Sequence, residues 1–176
     1  MKTIRLFLLL AALCGLPACS GNIRHGDDAG SFAYNGQKFS AVKVELTPAA
    51  QSKLADNIKF QAEELQSNVQ RRLSTDGLFA EEQPYRIQVV VKDIRVRSTF
   101  SAIMWGFMAG DDRIVGDVVI LDGANQPIYR FEVTASYALG GFAGGQDGTR
   151  MNWLYERFAE LTAQEIRSGT PKQAKS

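Results

Sequence analysis

Beyond position 19 this chain of 176 residues has no cysteine, because its only two, Cys14 and Cys19, sit near the start. A disulfide framework is therefore excluded, and packing alone must hold the fold. Histidine is nearly absent too: His25 stands alone. With no second histidine and no later cysteine, the usual zinc ligand sets cannot be assembled, and no metal or cofactor is expected. A Ser-His-Asp triad would have to draw its base from a polar stretch near the start, where no register could be held. His25 is read as a solvated residue and the chain as no enzyme. Charge of one sign is also missing. Removing Lys2 and Arg5 from the 20 basic residues leaves 18 against 19 acidic ones. Such a balance produces no long-range field for nucleic acid. Long apolar runs are lacking as well, since the longest, Leu6 to Leu13, is too short to cross a bilayer as a helix.

What is present begins with that run. Lys2 and Arg5 precede it, and turn-forming and small residues from Gly15 to Ala18 follow, the order of a cleaved export signal over residues 1–18. The four residues Leu16-Pro17-Ala18-Cys19 resemble the lipobox of bacterial lipoproteins, with cleavage between Ala18 and Cys19. The resemblance implies a diacylglyceryl group on the Cys19 thiol and an acyl chain on the new amine, an anchor more stable than a single chain provides. Pro17 departs from the small or hydroxyl residue usual between Leu16 and Ala18. Ser20, where aspartate would resemble an inner-membrane retention signal, favours the outer membrane of a Gram-negative envelope, facing the periplasm. Cys14 is an apolar filler of the signal. Residues 19–36 are rich in Gly, Asp, Asn and Ser and read as a flexible tether. Residues 37–168 read as one domain, and 169–176 as a disordered tail.

Within the domain, Val42, Val44 and Leu46 alternate as a strand, ended by Thr47-Pro48, a natural helix start. Leu54, Ile58, Ala62, Leu65, Val69 and Leu73 then recur at spacings of three and four, predicting one long amphipathic helix stopped by Gly77. Tyr85, Ile87, Val89 and Val91 alternate in a second strand running on to Val96. Residues 113–139 read as a hairpin turning at Asp122 to Pro127. A final helix from Thr149 places Met151, Leu154, Phe158, Leu161 and Ile166 near one face. The expected class is α+β in the order β-α-β-β-β-α, a mostly antiparallel sheet with two helices on one face.

The lipobox, the strand and long helix before "GLF", the hairpin "VGDVVILDGANQPIYRFEV" and the closing "GGFAGG" are together similar to a family of small bacterial lipoproteins of unknown function. In outline that family is similar to the α/β domains of envelope-assembly lipoproteins such as the curli secretion channel. The resemblance implies an envelope-anchored domain and brings no catalytic residues.

Two loops and one acidic group are candidate sites. Gly140 to Gly145 lie where phosphate loops lie, yet Phe142 replaces the second glycine of the dinucleotide fingerprint and Gln146-Asp147 replace the P-loop's Lys and Ser/Thr. Asp111, Asp112 and Asp117 lack the calcium-loop spacing and read as solvated hairpin residues. Phe100, Ile103, Met104, Trp105, Phe107 and Met108 form an aromatic and Met-rich stretch that is either core or a contact for an envelope partner. The expected role is structural or partner-binding in envelope assembly, with the membrane held through Cys19. The alternative is a module binding a small ligand or cell-wall component.

Overall fold

Alternation in the central strands sets one apolar face, and two helices cover it. The computed structural model describes residues 19–55, 59–97, 110–137 and 147–169. The elements are β1 (Cys19–Arg24), β2 (Phe39–Leu46), α1 (Pro48–Ser52), α2 (Ala62–Thr75), β3 (Tyr85–Arg95), β4 (Asp112–Leu121), β5 (Pro127–Tyr137) and α3 (Asp147–Ser168). The sheet order is β1-β5-β4-β3-β2. Among the described residues only β2 and β3 run parallel, and the other three pairings are antiparallel. The α+β class is as the sequence predicts.

Each helix boundary has a local cause. Thr47 caps α1, its hydroxyl accepting from the Ala50 N–H at 3.2 Å, with Pro48 in the first turn. The single long helix expected over 49–74 is two pieces. Lys53 closes α1, and α2 starts after Gln61, which is extended at φ −128°. Gln61 N–H donates to the Tyr155 hydroxyl at 2.8 Å, and Phe60 packs edge-on against the Tyr155 ring. Burial of Phe60 and that hydrogen bond to α3 pull the chain out of helical register; Ile58 lies outside the described residues. Gly77, at φ +71°, ends α2 in a conformation costly for any residue with a Cβ.

The core forms between these layers. Leu65, Val69 and Leu73 of α2 and Leu154, Phe158 and Leu161 of α3 are buried against Val89, Val91, Ile114, Val118, Phe131 and Val133. The inward phase of β3 slips from Val91 to Ile94, where a bulge breaks its register with β4 between Val91 and Asp93. The extra residue, Lys92, reaches across the uncovered face to Asp117 at 2.7 Å and hydrogen-bonds Glu132. Partial burial alone would lower its pKa, but those two carboxylates raise it above the ordinary lysine value. That face is rich in ion pairs: Arg113 meets Asp93 at 2.9 Å, and Lys43 meets Glu45 at 2.7 Å.

Residues 19–36 are not a free tether. Six of them form β1, paired with β5 from Cys19↔Tyr137 to Arg24↔Glu132. The chain then returns to β5, where the Arg130 N–H donates to the Ala29 carbonyl and Gly30 bridges Tyr129. Ala29 and Phe32 are buried, and Phe32 stacks on Tyr129 with centroids 6.0 Å apart. Periodicity gave no sign of this strand because its pairing is made by the backbone. Its fit depends on one missing side chain. A Cβ on Gly21 would lie 2.3 Å from Leu161 Cδ1, 3.1 Å from the Thr134 carbonyl oxygen and 3.2 Å from Arg157 Nε, so any larger residue displaces the side chains with which α3 covers β1. We expect Gly21→Val to force β1 and α3 apart. Hydrogen exchange should show faster exchange at the β1 amides that pair with β5 in the variant, while amides of β3 and β4 keep their protection; unchanged exchange in β1 would contradict the packing.

Candidate functional site

Helix α3 carries two charged residues on its otherwise apolar stripe. Arg150 lies one turn before Leu154, and Glu165 one turn after Leu161. Each is buried and organises a polar cluster at one end of the sheet.

At the end where β1 starts, Asp112 is fully buried between Arg97 and Arg150, both buried themselves. Arg97 donates its main-chain N–H to Asp112 Oδ1 at 2.7 Å and its Nε–H to the same oxygen at 3.2 Å. Arg150 Nη1 donates to Asp112 Oδ2 at 2.7 Å, and its Nη2 to the Arg97 carbonyl at 3.2 Å. Arg97 Nη2 also reaches the Tyr137 carbonyl at 3.4 Å. Asp112 thus ties the end of β3, the start of β4, the end of β5 and the first turn of α3. It is not the solvated hairpin residue expected from sequence. It is in phase with Ile114, Val118 and Ile120, which points it inward. That phase was the available signal, and the buried arginines supply the reason a carboxylate stands there.

At the opposite end, Glu165 Oε1 accepts from the Tyr129 hydroxyl at 2.6 Å and lies 2.8 Å from His25 Nε2. His25, expected as a solvated linker residue, is indeed exposed, yet it also makes a contact that fixes the chain after β1 against the C-terminal part of α3. The reason lies in β1, which carries the chain to this site in register with β5. Burial, reinforced by the Glu165 carboxyl, pushes the Tyr129 hydroxyl well above the ordinary tyrosine range. It therefore remains a proton donor to Glu165.

Of the residues singled out from sequence, Cys19 is the first residue of β1. Ala18, the stretch holding Phe100, Ile103, Met104, Trp105, Phe107 and Met108, and the loop Gly140 to Gly145 lie outside the described residues. The flanks of both stretches are placed nevertheless: Arg97 and Gly110 bracket the first, Tyr137 and Asp147 the second, all at the end sealed by Asp112. Among the described residues no group of three or more His, Cys, Asp or Glu side chains could hold a metal ion. No helix among them is long and apolar enough to cross a membrane.

Residues 23–141, from within β1 to just past β5, match the family described as Domain of unknown function (DUF4410). The chain belongs to the DUF4410 family. The match spans well over half of the sequence and stops before α3, so the second layer of this DUF4410 protein's core is contributed in part from beyond the matched region. No curated protein matches the chain. Solved structures resemble it loosely. The PelC dodecamer from Paraburkholderia phytofirmans is 12% identical, covering 79% of this chain and 95% of that one, with a TM-score of 0.47. A minor lipoprotein from Acinetobacter baumannii is 10% identical, covering 80% and 99%, with a TM-score of 0.45. The comparisons bear on a family of unknown function and do not extend to the curli secretion lipoproteins.

Proposed function

We propose that this DUF4410 protein is a lipid-anchored protein of the cell envelope with a structural or partner-binding role. Its anchor is Cys19, and it sits in the outer membrane facing the periplasm. The observation that carries this reading is "LPAC" behind a short apolar run with Lys2 and Arg5 before it. Acyl chains on Cys19 and its amine hold the protein on the membrane at about 0.8 kcal/mol per buried methylene. The partner-binding part rests on Phe100 to Met108, whose aromatic and methionine content suits an interface core. The remaining architecture fits a binding or scaffolding role: the buried carboxylates of both polar clusters are satisfied internally, and the wide polar face of the sheet is closed by its own ion pairs.

Replacing Cys19 with Ser tests the anchor. The wild-type chain should label with palmitate and fractionate with membranes, and Cys19→Ser should lose the label and appear in the soluble periplasmic fraction. If Cys19→Ser still labels and still sediments with the outer membrane, the assignment is wrong.

A further inference from the structure

The first strand fixes how the fold meets the membrane. Because β1 begins at Cys19 itself and pairs there with Tyr137, no spacer separates the anchoring residue from the sheet. Acylation at Cys19, on which this inference rests, would bring the whole end of the fold holding Tyr137, Asp112 and the start of α3 to the bilayer. That end carries an unusual side chain. Trp153 is the one large hydrophobic residue that stands exposed among the described residues, at 43%. Its indole meets the Tyr137 ring edge-on, centroids 5.3 Å apart.

The height of Trp153 follows from the way α3 crosses β1. Arg157 and Leu161 lie over Gly21. Trp153 is one helical turn before Arg157, about 6 Å toward the start of α3. Cys19 is two residues before Gly21, about 7 Å along the strand toward the same end. Trp153 and Cys19 therefore lie at the same end of the fold, and both meet Tyr137, Cys19 as its strand partner and Trp153 through its ring. An exposed tryptophan beside an acylated residue meets the headgroup layer, where an indole satisfies both its apolar body and its N–H.

We propose that this end of the fold rests directly on the bilayer, with Trp153 in the headgroup layer, so that the protein stands on the membrane in one fixed orientation. The occupant of the Trp153 surface is lipid. The test uses the full lipidated chain on vesicles of phosphatidylethanolamine and phosphatidylglycerol. Hydroxyl-radical footprinting should show Trp153 oxidation several-fold lower on vesicles than in soluble Cys19→Ser, while His25, at the opposite end, oxidises equally in both. In a Trp105→Phe chain, where Trp153 is the only tryptophan, emission should be quenched by lipids brominated near the headgroup. Equal Trp153 oxidation in a chain that floats with the vesicles overturns the orientation and leaves the anchor standing. Protection without bromolipid quenching means a second copy covers Trp153, and it also overturns the proposal. A Cys19 peptide without its diacylglyceryl mass, in a chain that does not float, overturns the anchor and the orientation together.

Discussion

Asp112→Ala should destabilise the fold by about 3–5 kcal/mol, the range for removing one partner from a buried ion pair. Asp112 accepts from Arg97 and Arg150 and is itself fully buried. Without its carboxylate, two guanidinium groups remain in the interior with less to balance their charge, and neither can reach water without opening the end of the sheet. The loss falls on the unfolding free energy from urea titration, and it should appear as a lower midpoint with an unchanged slope. Asp112→Asn should behave nearly as badly, since it keeps the shape and removes the charge. Adding Arg150→Met to Asp112→Asn should recover part of the loss, because apolar side chains substitute well for a buried ion pair once both partners are gone. If Asp112→Ala unfolds at the wild-type midpoint, the cluster has no stabilising role.

Leu65→Ala should cost about 2–5 kcal/mol. Leu65 lies near the start of α2 with no exposed surface, among residues from both layers. Truncation deletes its packing and leaves a cavity that Val69 and Leu73, fixed on the same helix, cannot fill. For a native state held by only about 5–15 kcal/mol, that is a large fraction of the total. Urea unfolding followed by circular dichroism reads it directly. An unchanged midpoint would mean that this face of α2 does not belong to the core.

The strands and helices that bury a regular stripe were legible in the sequence. Val89 and Val91, the hairpin from Ile114 to Val133, and Leu154 to Ile166 all face inward as their spacing requires. What escaped was held by features without periodicity. β1 pairs through its backbone and fits because Gly21 has no side chain, so hydrophobicity could not reveal it. The break before α2 comes from a tertiary hydrogen bond between Gln61 and Tyr155 that local propensity does not contain. Asp112, Arg150 and Glu165 were legible in principle, since each falls in phase with buried neighbours. A charge in phase with a core stripe signals a buried partner, and here the partners come from distant segments. The expectation for Cys19 rests on a local motif, whereas the contact between His25 and Glu165 exists only once β1 has been placed.

The pairing of β1 with β5 also orders events in time. Ser20 and Ser136, whose hydroxyls meet at 2.6 Å, are 116 residues apart in the chain. Since β5 is the sole strand neighbour of β1 among the described residues, β1 emerges with none of those strands to pair with until most of the chain has followed. Closing so long a loop comes late in assembly, after local pairs such as the β4–β5 hairpin have formed. Acylation of Cys19 as proposed would find its substrate unpaired throughout that interval. Docking of β1 then draws residue 19 against the sheet, so the same topology that delays the strand would separate the window for the proposed acylation from the finished fold.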